Sequence, residues 1–264
     1  MSEKVNIKIE NDDVAILKLN DPDNYNPLNL EMAKKLLAKL ESLRDNTKIR
    51  VIIITGSGNA FSAGGDVKKF KESIENGTPG QFMDDLTKDL YKIAEIVRLY
   101  PKPVIAAVNG WAVGAGMNLA LSCDIIIASE EAKFRQSFSK LALIPGFAGT
   151  IFLSRQLTWQ QATEMAFFGD TYTVDKMDKL GFINEITSPD ELMDIALKWG
   201  KRLAKGPTLT YARTKKLFFD SLGRSFDEQL KIERGMQIKS AETIDFKNGV
   251  FAIIDKKEPE FSGK

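Results

Sequence analysis

The 264-residue chain has no histidine and one cysteine, Cys123. Without histidine there is no Ser-His-Asp or Cys-His nucleophile system. The usual zinc ligand sets are missing as well, so no metal site is expected. A single cysteine excludes an internal disulfide framework and fits a reducing compartment, with the cytoplasm as the expected location. The opening "MSEKVNIKIENDD" lacks the apolar segment of a signal peptide. No apolar run reaches the ~18 residues that a membrane span requires. An excess of either charge is also missing: Lys plus Arg number 37 against 36 Asp plus Glu. No global field therefore steers the chain onto nucleic acid or an anionic membrane, and neither is an expected partner. Short basic clusters, "KKF" (68–70) and "TKK" (214–216), read as solvated helix faces. There is no low-complexity linker and no visible repeat of fixed period.

What remains is a chain 43% hydrophobic, enough for a sizeable core. "VNIKIENDDVAILKLN" reads as two strands turning at Asn11–Asp13. "NLEMAKKLLAKLESLRDN" places Met32, Leu36, Leu37, Leu40 and Leu43 at helical spacing behind Asn29, a candidate N-cap. "VIIITG" (51–56), "VIAAVNG" (104–110) and "IIIAS" (125–129) are continuous apolar runs, as expected of strands covered on both faces. "SIENGTPGQ" (73–81) reads as a surface loop, followed by a helix that ends at "PKP" (101–103). Helices dominate after about residue 159. Strands alternating with helices, followed by a helical tail, predict an α/β core over 1–200 and a C-terminal helical region over 201–264.

Two junctions share one design. In "VIIITGSGNAFSAGGD" and "VIAAVNGWAVGAGMNLAL" an apolar strand gives way to a turn of small residues, and the second turn leads directly into a helix. Small residues let a ligand approach backbone N–H groups, and a helix N-terminus adds positive partial charge. Two such groups converging on one carbonyl oxygen would form an oxyanion hole able to stabilise a thioester enolate. Glycines at such turns also serve purely steric ends, and either junction alone admits that reading. The "GAG" run (114–116) is not a dinucleotide fingerprint, because Leu119 stands where a third glycine belongs.

"AFSAGGDVKKF", "KPVIAAVNGWAVGAGMNLALSCDIIIASEEAKF", "FSKLALIPGFAGT" and "DFKNGVFAIIDKKEPEFSG" occur in an order and spacing that resembles the crotonase, or enoyl-CoA hydratase/isomerase, family. The resemblance covers nearly the whole chain. It implies a core of stacked ββα turns with a helical C-terminal region, assembled as a homotrimer or a dimer of trimers. It also implies an acyl-CoA substrate, with coenzyme A entering as part of that substrate and no separate cofactor. By position, the oxyanion donors would be the amides of Gly65 and Ala115, with Ser62, Ala63, Gly64 and Asp66 beside them. Asp66 also reads as the cap of the following helix. Lys215 and Lys256 would contact coenzyme A phosphates, and "NPLN" (26–29) would border the adenine and pantetheine.

Hydration of an enoyl thioester needs one group to activate water and another to deliver a proton to carbon. The resemblance places the two glutamates of hydratases at Asn118 and Phe138 here. "FSKLALIPGFAGT" resembles instead isomerases that shift a double bond or rearrange a ring epoxide, in which an acid follows the proline; that position is Gly146. Asn118 can hold a water or a carbonyl but cannot act as a base, and it equally suits bonding to a neighbouring loop. Asp124 and Glu164 read as structural acids, whereas Asp84 and Asp85 are candidate pocket acids. Phe138, Phe147, Met117 and Trp111 are candidates for an apolar acyl pocket. The expected activity is an isomerase-like conversion through a thioester enolate. The alternatives are a hydratase with displaced acids and a silent acyl-CoA-binding scaffold.

Overall fold

The computed structural model describes residues 3–263. β1 (Val5–Glu10) and β2 (Val14–Leu19) form an antiparallel hairpin. Its turn holds Asn11 and Asp12 at φ +48° and +64°, a region that Asn and Asp tolerate better than most residues. Helix α1 (Leu30–Arg44) starts where the Asn29 side chain accepts a hydrogen bond from the Met32 amide at 3.0 Å. The predicted stripe, Met32 through Leu43, is its buried face.

The chain then makes three similar passages. β3 (Val51–Gly56) leads to β4 (Ala60–Ser62), then to α2 (Val67–Glu75) and α3 (Pro79–Arg98). β5 (Val104–Val108) leads to β6 (Trp111–Val113) and α4 (Ala115–Ser122). β7 (Ile125–Ser129) leads to β8 (Lys133–Arg135), a 3-10 turn (Ser137–Leu141) and α5 (Gly149–Gln156). β3, β5 and β7 lie parallel in one sheet, and β4, β6 and β8 lie parallel in a second. Each passage thus adds one strand to both sheets, which is the stacked ββα spiral. The passages begin at residues 51, 104 and 125, so their unequal lengths conceal the repeat from a fixed-period reading.

After α6 (Trp159–Phe168), β9 (Thr171–Thr173) and α7 (Val174–Lys179), β10 (Glu185–Thr187) completes the six-stranded sheet β1-β2-β3-β5-β7-β10. Helix α8 (Leu192–Ala204) packs Leu192, Ala196 and Ala204 against Val14, Val51, Ile53 and Ile105. Ile52, Ile54, Val104 and Ala106 face the main core on the other side. Burial on both faces accounts for the unbroken apolar runs of β3 and β5. The expected division after residue 200 falls inside α8, which belongs to the core by its packing. The predicted loop over 73–81 is also shorter than expected. α2 continues to Glu75 and α3 opens at Pro79, in the first helical turn, where a missing N–H leaves no bond unmade.

Three helices follow: α9 (Thr208–Asp220), α10 (Phe226–Ala241) and α11 (Ile244–Ile254). Arg50, just before β3, donates to the Phe261 carbonyl at 2.8 Å and the Gly206 carbonyl at 2.7 Å. Those bonds tie the C-terminal segment back to the sheet. No helix among the described residues is long and apolar enough to cross a membrane.

Candidate active site

The two glycine-rich turns lie side by side. Gly64 adopts φ +76°, and a Cβ added to it would sit 2.4 Å from the Val113 carbonyl oxygen and 3.1 Å from the Ala115 nitrogen. A Cβ on Gly116 would lie 2.3 Å from the Ser62 carbonyl oxygen. Only glycine lets the end of β4 and the start of α4 approach this closely. Gly116→Ala is accordingly expected to force backbone apart and lower stability by about 1–3 kcal/mol, read from a denaturant midpoint.

Gly114, at φ +53°, is the N-cap of α4, and its amide donates to the Arg135 carbonyl at 2.8 Å. The Ala115 amide is the first of the helix and has no intrahelical acceptor. Neither it nor the Gly65 amide donates to another described residue. Both residues line one cavity of about 310 Å³, together with Ala63, Gly114, Phe138 and Gly146. Most of its wall is apolar, from Val67 and Phe70 through Leu86 and Leu90 to Phe147. Its polar side chains are Thr87, Tyr91, Arg135, Ser137 and Lys140, and no carboxylate lines it among the described residues.

Several expected site residues occupy other roles. Asn118 is fully buried and does not line the cavity. Its Nδ2 donates to the Gly146 carbonyl at 2.7 Å, and its Oδ1 accepts from Gln136 Nε2 at 2.6 Å. It fixes the loop that carries Gly146 rather than presenting an amide to substrate. Ser62 is buried and donates to the Asn26 carbonyl at 2.8 Å. Asn26 itself is a buried bracket, donating to the carbonyls of Ser57 at 2.9 Å and Ala60 at 2.8 Å. Asp66 caps α2, accepting from the Lys68 and Lys69 amides at 3.1 and 3.3 Å. Asp84 and Asp85 are exposed on α3 and do not line the cavity, so they are not placed as displaced acids. Met117 lies in the core, and Trp111 stacks beneath Lys133 outside the cavity, whereas Phe138 and Phe147 do line it.

The two lysines also separate. Lys215 is not a mobile surface charge: its ammonium lies 2.7 Å from Asp124 and borders a different cavity, of about 500 Å³. Burial pulls the Lys215 ammonium below its ordinary range and pushes the Asp124 carboxyl above its own, each opposed by the attraction of the other. Cys123 beside them is pushed up to about 12, chiefly by burial and then by Asp124, so its thiol is inert near neutral pH. Lys256 is exposed just after α11, at φ +56°, and does not border the candidate cavity. Glu164 is exposed, accepting from the Tyr172 hydroxyl at 3.3 Å.

Sequence reasoning missed Tyr91 and Thr87. The signal was present: Met83, Leu86, Thr87, Leu90 and Tyr91 share one face of α3, and two polar residues interrupt an otherwise apolar stripe.

The adjoining turns thus bring together, along one largely apolar cavity of a ββα spiral, two residues whose amides have no protein acceptor. The Enoyl-CoA hydratase/isomerase family model matches residues 9–264. A probable enoyl-CoA hydratase of Rhodobacter capsulatus is 34% identical over 255 residues, covering 95% of each chain. The 1,2-epoxyphenylacetyl-CoA isomerase of Escherichia coli is 34% identical over 257 residues, again with 95% of each covered. The crystal structure of an enoyl-CoA hydratase from a Polaromonas species superposes with a TM-score of 0.92 at 29% identity, covering 97% of this chain and 99% of that one. This chain belongs to the enoyl-CoA hydratase/isomerase family of acyl-CoA-processing enzymes, and its α/β fold is the crotonase fold.

Proposed function

We propose that the protein binds an acyl-CoA thioester with its carbonyl oxygen between the Gly65 and Ala115 amides and stabilises the enolate formed there. The conversion is an isomerase-like proton shift rather than a syn addition of water. The observation that carries this reading is a cavity lined by two residues whose amides have no protein acceptor, with no carboxylate among its described lining residues. Negative charge growing on the oxygen meets fixed donors, and the positive end of α4 adds to them. Hydration needs an activated water and a second proton-delivering group, and neither Asn118 nor the apolar Phe138 supplies one.

Coenzyme A arrives as part of the substrate, so the reaction as proposed uses no separate cofactor. Lys256 stays a candidate contact for its phosphates, being exposed and unburdened by an ion pair among the described residues. Exposed Phe226, Ile244, Phe251, Ile253 and Ile254 on α10 and α11 support assembly of further copies of this chain, as a trimer or a dimer of trimers.

The test is proton exchange. In D₂O the protein is expected to exchange the α-proton of a saturated acyl-CoA and to interconvert enoyl-CoA positional isomers, with little water added to crotonyl-CoA. Tight binding without exchange would leave a silent acyl-CoA-binding protein. Hydration faster than isomerisation would overturn the non-hydratase reading.

A further inference from the structure

The proposed chemistry moves a proton in a cavity without a carboxylate, and one side chain there is placed for the task. A Cβ built on Gly146 would lie 3.5 Å from the Tyr91 hydroxyl and 3.5 Å from the Phe138 ring. Gly146 has no positive φ, so its backbone would accept a side chain. The phenol of Tyr91 therefore fills the space into which a side chain at residue 146 would extend. Its hydroxyl bonds to no other described residue, whereas Thr87 on the same helix face is committed to the Met83 carbonyl at 2.7 Å. The Ser137 hydroxyl lies beside Gly114, 3.4 Å from a Cβ built there. The Arg135 guanidinium is committed to the Gly169 carbonyl, donating at 2.7 Å. Lys140 is exposed at the rim.

We infer that Tyr91 is the residue that exchanges a proton with substrate carbon; this inference rests on the enolate reading above. In a double-bond shift the Tyr91 hydroxyl first gives its proton to solvent, which its half-exposed position reaches, and the oxygen then takes a proton from the α- or γ-carbon of the acyl chain. The C–H electron pair moves into a dienolate, whose charge settles on the thioester oxygen between the two amides. The phenol then returns that proton to the other carbon and becomes phenolate again. No water, oxidant or reductant is consumed. Arg135 and Lys140 are the charged residues of the cavity lining, so the net charge of the lining has the sign that favours an anionic intermediate.

The experiment compares the full-length protein with Tyr91→Phe, measuring saturated acyl-CoA affinity by calorimetry and α-proton exchange in D₂O at saturation. Tyr91 is half-exposed and unbonded, so the substitution removes little but the hydroxyl. Affinity is expected to hold while exchange falls about 100-fold, within the range of a lost general acid–base group. Adding Gly146→Asp to Tyr91→Phe is expected to restore exchange by placing a carboxylate in the same corner. Wild-type exchange that survives Tyr91→Phe overturns the role of Tyr91 alone. A loss of affinity at unchanged saturated exchange also overturns it, making Tyr91 a packing residue. A double variant no more active than Tyr91→Phe overturns the placement of the proton beside residue 146. A wild-type protein that binds acyl-CoA without exchange overturns the enolate reading itself, and Tyr91's role with it.

Discussion

Replacing the peptide N–H of Ala115 by an ester oxygen, through incorporation of lactic acid at that position, is expected to lower enolate formation about 100- to 1,000-fold, roughly 3–4 kcal/mol of transition-state stabilisation. The side chain is unchanged; besides the lost donor, the Gly114 carbonyl, which accepts from the Asn118 amide at 3.0 Å, becomes a weaker ester acceptor. The substrate carbonyl is a neutral acceptor, whereas the enolate oxygen carries full charge, so the lost bond weighs far more on the transition state. Saturated turnover should therefore fall while acyl-CoA affinity changes little. Ala115→Pro is a genetic counterpart: residue 115 is the first helical position, where proline is tolerated and its missing N–H breaks no intrahelical bond. An unfolded proline variant would leave the ester to decide. Equal losses in affinity and turnover would mean that the amide only anchors the ground state. Unchanged turnover would remove the Ala115 amide from the mechanism.

How much of this was legible beforehand follows from the length scale of each signal. The long apolar strands and amphipathic helices were readable, because burial on one face or two imposes a pattern over many residues. β4, β6, β8 and β9 were not: three residues are too few for a period to appear. The two glycine turns were readable as close approaches, since Gly64 and Gly116 each stand where a Cβ would strike a carbonyl oxygen. The direction of a polar side chain was not. Asn118 and Ser62 are polar and adjacent to the turns, yet both point into the scaffold and bond to backbone or buried amide groups. Residue type fixes what a group can donate or accept, and only the fold decides to whom.

Lys215 is the clearest case, and its replacement carries the other large expected effect. Lys215→Met is expected to lower stability by about 3–5 kcal/mol, read as a shift in denaturant midpoint at constant slope, because it leaves the largely buried Asp124 carboxylate without its ion-pair partner. Asp124 also accepts from the Val104 amide at 2.8 Å, so its carboxylate holds the start of β5 as well as the lysine. Asp124→Asn combined with Lys215→Met removes the stranded charge and keeps an acceptor for that amide. The double variant should therefore recover part of the loss, as a buried pair replaced by neutral groups does more cheaply than a pair broken on one side. Acyl-CoA affinity should stay near wild type in every variant that folds, since Lys215 borders a different cavity from the one holding the two amides. A Lys215→Met protein of ordinary stability but weakened acyl-CoA binding would reverse the assignment. It would mean that the ammonium leaves Asp124 for the coenzyme phosphates, and that the ion pair is the resting state of a ligand contact rather than part of the scaffold.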